Sequence, residues 1–378
     1  MMQLRRSILA TSLLLTTTLF AATMAQPDFA TELQPVVDTW QRENDVLGVS
    51  VSLASPLQGR VDVVSGRATL EQALTPDTPM YVGSITKSFI AAAALQLVDE
   101  GLLSLDDTLD RWYPDFPNAA QITVAHLLTM TSGTYDYFRN APDNAFLPLA
   151  LADISRQWDA DEIISTVAEF VPVATPGTSF DYSNTNYLML GEIITEVTGQ
   201  SVEDVLQTRF LTVLGLEDSY LAGSQPHADN LAGGYLRGST ALFGHSEPML
   251  AQADDYAGLE TLSRSAGNLV STSHDLATWL IAVTQGDILS PTMTHLMLAP
   301  TELSLQVNDG YGYGLEWVDT AYGQAVGHSG SIPGYASLIL FFPQLDITIS
   351  ATTNDEQGEA VLLELVENVV AEVVGSYP

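Results

Sequence analysis

Val82-Gly83-Ser84-Ile85-Thr86-Lys87-Ser88-Phe89 runs without a break into Ile90-Ala91-Ala92-Ala93-Ala94-Leu95-Gln96-Leu97-Val98. The second part is rich in strong helix formers and reaches Gly101, so the stretch predicts a helix that begins around Ser84. Lys87 is the only lysine in the chain: of 12 basic side chains, all the others are arginine. An amine can lose its proton when desolvated, whereas a guanidinium in a protein stays charged. On a helix, Ser84 and Lys87 stand one turn apart on one face. The helix N-terminus adds positive potential and free N–H groups. Both effects favour a serine alkoxide and a lysine of lowered pKa. A neutral lysine beside a serine hydroxyl can take its proton, which makes S-x-x-K a candidate pair of nucleophile and proton carrier.

Two later stretches add to this pair. Asp181-Tyr182-Ser183-Asn184-Thr185-Asn186-Tyr187 follows Pro176-Gly177 and precedes a helical segment. Tyr182 can act as a second proton carrier where an ammonium stabilises its phenolate. Asn184 can donate to a substrate carbonyl. Gly327-His328-Ser329-Gly330-Ser331 stands at the end of a predicted strand. A strand edge can present backbone N–H groups to a bound carbonyl, and glycine admits a close approach. The N–H groups of Ser84 and Ser331 are the candidate donors to a developing oxyanion.

The organisation around these stretches predicts the fold. Leu33, Val36, Val37 and Trp40 fall at helical spacing, so a helix is expected from near Pro35. Residues 46–54 and 60–65 read as a hairpin. The middle is mainly helical. It has a short helix over Thr123 to Met130, another through Leu188, Ile193, Ile194 and Val197 to Gly199, and a capping box at Ser201-Val202-Glu203-Asp204. Residues 314–319, 324–328, 335–342 and 347–353 read as four strands. Leu362, Leu365, Val366, Val369, Val370 and Val373 then form an amphipathic terminal helix. Strands from both ends of the chain imply one antiparallel sheet flanked by N- and C-terminal helices, with an all-helical insertion, in the α/β (α+β) class. The expected boundaries are residues 26–82 and 225–378 for the α/β domain and 83–224 for the helical one, with the active site at their interface.

Residues 1–25 read as a secretory signal: Arg5 and Arg6, an uncharged run from Ile8 to Phe20, and small residues up to Ala25. A secreted or periplasmic protein is expected, with no stable membrane insertion after cleavage. The chain has no cysteine, which removes disulfides, thiol chemistry and cysteine metal sites. The six histidines, at 126, 227, 245, 274, 295 and 328, form no ligand pair at helical spacing, and neither metal nor cofactor is expected. The formal charge is −34, which argues against nucleic acid as a partner. The acids are dispersed rather than gathered in a tail, as suits a salty or acidic medium.

Together the three stretches resemble the active-site motifs of the serine β-lactamase and penicillin-binding protein family: S-x-x-K, then Y-x-N, then a K/H-[ST]-G strand. The Tyr-x-Asn form and His328 are similar to the class C branch, and most of all to D-alanyl-D-alanine carboxypeptidases of Streptomyces type. Leu95 to Gly101, Ser132-Gly133, Tyr135-Asp136-Tyr137, Ser265-Ala266-Gly267 and Tyr311-Gly312 extend the likeness over nearly all of the chain. The resemblance implies a β-lactamase/transpeptidase-like fold and an acyl-enzyme on Ser84. It implies proton shuttling by Lys87 and Tyr182, support from His328, and substrate binding by Asn184, Ser329, Gly330 and Ser331. The implied substrate is a small peptide or ester, the peptidoglycan stem peptide first, then a short-chain acyl ester, then a β-lactam. Which of Lys87 and Tyr182 is the acylation base stays open.

One departure stands out. In the nearest relatives an arginine follows the Tyr-Gly-x-Gly-Leu stretch and serves the substrate carboxylate. Here Tyr311-Gly312-Tyr313-Gly314-Leu315 leads to Glu316 and Trp317. Arg139, Arg237 or Arg264 would have to substitute, or the substrate carries no carboxylate. An α/β-hydrolase is excluded by the lack of G-x-S-x-G. The rival of another class is a non-catalytic penicillin-binding sensor.

Overall fold

The computed structural model describes residues 29–376, apart from 140–143, 145, 154, 225, 244 and 308. The expected signal, 1–25, lies outside the described residues. Helix α1 (Phe29–Glu43) buries Phe29, Leu33, Val37 and Trp40. It starts six residues before the expected Pro35, which stands inside it. The apolar stripe continues upstream to Phe29, and its burial outweighs the one backbone hydrogen bond that proline cannot make.

The hairpin forms as β1 (Gly48–Ser55) and β2 (Gly59–Gly66). Helices α2 (Thr86–Asp99), α3 (Asn184–Thr198) and α4 (Ser273–Gln285) follow. The chain then makes β3 (Glu316–Thr320), β4 (Gly323–Ile332), β5 (Tyr335–Phe342) and β6 (Ile347–Thr353), and ends in α5 (Leu362–Gly375). The sheet order is β2-β1-β6-β5-β4-β3, with every neighbouring pair antiparallel. The first hairpin therefore pairs with the last strand, and one sheet is closed from both ends of the chain.

The two faces of this sheet differ by the alternation of its strands. Val49, Val51 and Leu53 of β1 and Ile347, Ile349 and Ala351 of β6 point to one face, where α1 and α5 cover them. Ser50, Ser52, Ser350 and Thr352 point to the other and are buried there. Their small side chains let α4 approach; Ser50 Oγ lies 2.6 Å from Ser273 Oγ. The helical elements share a second and larger core with α2 at its centre. Every residue of α2 from Thr86 to Leu95 is buried, as expected of a helix that packs on all sides. No helix among the described residues is long and apolar enough to cross a membrane.

Two strand and helix limits differ from expectation. β4 runs to Ile332 instead of ending near His328. Pro333-Gly334 makes the two-residue turn into β5, with Ile332 opposite Tyr335 and Gly334 at φ +84°, so Ser329, Gly330 and Ser331 lie within the strand. The short helix is Val124–Leu128. Thr123 caps it, accepting the His126 N–H at 3.2 Å, and Met130 leaves it at φ +58°.

Leu365 is fully buried between α5 and the sheet. Leu365→Ala should lower unfolding stability by about 2–5 kcal/mol in urea titration. A loss below about 1 kcal/mol would mean that α5 does not seal this face.

Candidate active site

The site begins with the turn before α2. Gly83–Ile85 forms a single 3-10 turn, and the α-helix starts at Thr86, so Ser84 sits just ahead of the helix with its side chain toward the cleft. Gly83 has φ +53°, which only glycine adopts without strain here. A Cβ on Gly83 would lie 2.6 Å from Ser331 N, and one on Gly330 would lie 2.0 Å from Val82 O. Both glycines are thus needed for β4 to lie directly against the nucleophile turn. Ser337 Oγ fastens the contact by donating to Val82 O at 2.8 Å.

Lys87 is buried. Its Nζ donates to Asn184 Oδ1 at 2.8 Å, to the Ala266 carbonyl at 2.6 Å, and lies 2.9 Å from Ser84 Oγ. Burial is the main cause that brings its pKa down to about 7, while the Asp136 and Glu316 carboxylates pull it the other way. The Tyr182 and Tyr187 rings stand 5.1 and 5.8 Å from Nζ. The Ala266 carbonyl and Asn184 Oδ1 can only accept. A neutral lysine has two N–H bonds, and these two acceptors use both. Its lone pair is then left for the Ser84 hydroxyl. That arrangement can deprotonate the serine without any further movement.

Tyr182 borders the same opening as Ser84. Burial holds its phenol well above the usual tyrosine range, although the Ser84 hydroxyl favours the charged form, so it stands as a proton donor. His328 is buried on β4, and burial lowers its pKa. Its Nδ1 lies 2.5 Å from the Ser329 carbonyl, which fixes the proton there, and its Nε2 lies 3.5 Å from the Tyr311 hydroxyl. Tyr311 in turn stands edge-on to the Tyr182 ring. The histidine therefore reaches the site through Tyr311. Asn184 opens α3; its Oδ1 holds Lys87 while its Nδ2 lies 3.2 Å from Asp136 Oδ1.

β4 continues beyond the end of its partner β3, whose pairing stops at Gly327. Alternation in the hairpin turns the Ser329 and Ser331 N–H groups away from β5. Ser329 N–H donates to Glu316 Oε1 at 2.5 Å, and Ser331 N–H faces the Gly83–Ser84 turn. The Ser84 and Ser331 N–H groups thus border one opening, as an oxyanion site requires.

Two cavities meet at Ser84 and Ser331. One, of about 610 Å³, takes in Tyr182 and His328 and carries the carboxylates Asp309, Glu316 and Glu359. The other, of about 490 Å³, takes in Asn184 and the apolar Phe138, Leu259, Ile332 and Pro333, and Glu359 borders both cavities. No arginine lines either. Arg139 pairs with Asp181, Arg264 with Glu192 at 3.6 Å, and Arg237 with Asp355 at 2.9 Å and Asp45 at 3.4 Å. Sequence reasoning singled out neither Glu359, which accepts from Ser331 Oγ at 2.9 Å, nor the role of the Ala266 carbonyl. Glu359 lies in a short turn before α5 with no motif to mark it. Ala266 contributes only backbone, though the Ser265-Ala266-Gly267 stretch was visible.

A half-buried serine and tyrosine around a buried lysine, where an antiparallel sheet meets helical elements, is the arrangement of a serine hydrolase. The chain belongs to the Beta-lactamase family, whose model matches residues 23–371. It is similar to penicillin-binding protein 4* of Bacillus subtilis (strain 168), at 25% identity over 324 residues, 80% of this chain and 67% of that one. It is similar to esterase EstB of Burkholderia gladioli at 29% identity over 212 residues, 52% of this chain and 53% of that one. Its fold is similar to that of D-amino acid amidase from Ochrobactrum anthropi SV3 complexed with D-phenylalanine. There the TM-score is 0.81 at 27% identity, covering 93% of this chain and all of that one. The chain spans about two thirds of the length of the first curated relatives it matches.

Gly330→Ala should push β4 off the nucleophile turn and cost on the order of 100-fold in kcat, the scale of one lost oxyanion donor. Activity within twofold of the parent would place the oxyanion site elsewhere.

Proposed function

We propose that the protein hydrolyses small esters or amides through an acyl-enzyme on Ser84, and that the group it releases carries no carboxylate. The observation that carries this reading is the contact of the buried Lys87 amine with Ser84 Oγ at 2.9 Å. Lys87 takes the Ser84 proton as Oγ bonds to the substrate carbonyl carbon. The oxygen that becomes negative is held by the Ser84 and Ser331 N–H groups. As the carbonyl reforms, the bond to the leaving group breaks and Tyr182 passes it a proton, which the Lys87 ammonium restores. Water then attacks the ester carbon, giving a proton to the same base; the bond from that carbon to Ser84 Oγ breaks, Oγ takes the proton back from Lys87, and the acid departs.

The two cavities divide the substrate. Tyr182 opens on the acidic one, so the leaving group belongs there; the acyl group belongs in the cavity of Phe138, Leu259, Ile332 and Pro333. Three carboxylates in the first disfavour the terminal carboxylate of a D-Ala-D-Ala peptide, and the three candidate arginines are engaged elsewhere. An ester, or an amide that releases ammonia or a cationic amine, fits without that conflict. The likeness to an esterase and to a D-amino acid amidase supports the same choice. A compact apolar acyl group, as in a D-phenylalanine amide or a short-chain ester, is the leading substrate. The signal-like composition of residues 1–25 supports a reaction outside the cytoplasm.

The base works as neutral lysine, and that form exists above its pKa of about 7. The rate kcat/KM should therefore fall on the acid side through a limb near pH 7. Lys87→Arg should lose at least about 100-fold across the whole range, because a guanidinium stays charged. Near-normal turnover with arginine would remove Lys87 from proton transfer.

D-phenylalanine amide, a p-nitrophenyl short-chain ester, a D-Ala-D-Ala peptide and a cephalosporin should be compared side by side. The first two should turn over repeatedly and the peptide poorly, and Ser84→Ala should abolish labelling by an acyl-phosphonate. Faster hydrolysis of the peptide would restore the carboxypeptidase reading. A single acylation with no turnover on any substrate would make the chain a sensor.

A further inference from the structure

The lysine's geometry depends on which way the Asn184 amide faces. Presented oxygen-first, Asn184 accepts from Lys87; presented nitrogen-first, it would set a donor against an amine whose protons already need acceptors. Nothing within Asn184 prefers one over the other. The group that decides lies on the far side. Asp136 is buried in the loop after the short helix Val124–Leu128. Its Oδ1 accepts the Asn184 backbone N–H at 3.1 Å, the Asn184 Nδ2 at 3.2 Å and the Phe138 N–H at 3.2 Å, and its Oδ2 lies 3.4 Å from the same Nδ2. An ionised carboxylate only accepts, so the amide nitrogen must face it and the oxygen must face Lys87.

The same carboxylate substitutes for an N-cap. Ser183, at the cap position of α3, makes no side-chain cap bond, and its Oγ is buried without a partner. Asp136 instead takes the first N–H of the helix. The surrounding loop is fastened to the same helix end: Thr185 Oγ1 donates to the Tyr135 carbonyl at 2.7 Å, and Ser132 Oγ donates to Asn186 Oδ1 at 2.6 Å. Asp136 is therefore held independently of the bond it makes to the Asn184 side chain.

We propose that Asp136 is a positioning residue for the acyl-transfer reaction: it locks the Asn184 amide oxygen toward Lys87 and so leaves the third direction of the amine for Ser84 Oγ. The proposal rests on the reading of Ser84 and Lys87 given above. It also assigns Asp136 a field effect. The groups that face the amine are the Asp136 and Glu316 carboxylates, the Tyr182 and Tyr187 phenols, the buried His328, Asn184 Oδ1 and the Ala266 carbonyl. Of these, Asp136 and Glu316 favour the ammonium. Removing the Asp136 charge removes one of them, and a released Asn184 amide that turned its nitrogen to Lys87 would disfavour the ammonium further. Both effects have one sign.

The test is Asp136→Asn, which keeps an acceptor for the two backbone N–H groups, alongside Asp136→Ala. The rate of Ser84 labelling by an acyl-phosphonate is followed against pH in parent and variants, with thermal unfolding as the measure of fold. Labelling of the parent at Ser84 must come first; its failure would sink the reading of the nucleophile and not this one alone. With the parent labelled, Asp136→Asn should move the acid limb to lower pH. Asp136→Ala should lose on the order of 100-fold in labelling rate, the scale of a misplaced reacting group. A uniform loss with the limb unmoved would make Asp136 a helix cap and nothing more. A failure of Asp136→Asn to fold would equally contradict the proposal, since the carboxylate would then serve the fold rather than the amine.

Discussion

The structure turns on one amine held out of water by obligate acceptors. Lys87 has two partners that can only receive a proton, the Asn184 oxygen and the Ala266 carbonyl, and one that can do either, Ser84. Burial removes the solvation that would keep the ammonium charged. What remains is an amine whose stable neutral form has its lone pair on the nucleophile. Arginine could fill the space but could not lose the proton, which explains a chain that uses arginine everywhere else and lysine once.

Building the site around that amine brings separate parts of the chain together. The turn Gly83–Ile85 supplies Ser84, and helix α2, which follows it and is buried from Thr86 to Leu95, carries Lys87 inward. Helix α3 begins at Asn184 and brings Tyr182 just ahead of it. Strand β4 brings His328 and Ser331, and it can lie against the nucleophile turn only because Gly83 and Gly330 lack side chains. The sheet closed from both chain ends positions β4, and α1 and α5 seal its outer face. The cleft is lined by Tyr182, Asp309 and Glu316 on one side and by Phe138, Leu259, Ile332 and Pro333 on the other, with Glu359 bordering both.

Much of this was legible in the sequence because it depends on local pattern. The single lysine three residues after a serine, the β-rich runs of β1, β5 and β6, and the stripe of α5 are all short-range signals. What the sequence did not disclose is long-range. Glu359 faces Ser331 from 28 positions away, and Asp136 reaches Asn184 across 48; no spacing rule links such pairs. The strand β4 was read short because Ser329-Gly330-Ser331 looks like a turn, whereas the turn is Pro333-Gly334. The burial that keeps the Tyr182 phenol protonated is likewise long-range. The absence of an arginine after Leu315 was visible at once, but only the pairing of Arg139, Arg237 and Arg264 with acids closes the alternatives.

Because the chain has a single lysine, selective isotope labelling of lysine yields one side-chain signal, and NMR can titrate Lys87 directly. The account predicts a midpoint near pH 7 for the Ser84-intact protein. A midpoint near the ordinary lysine value of about 10.4 would mean that the amine stays charged at neutral pH and does not serve as the base.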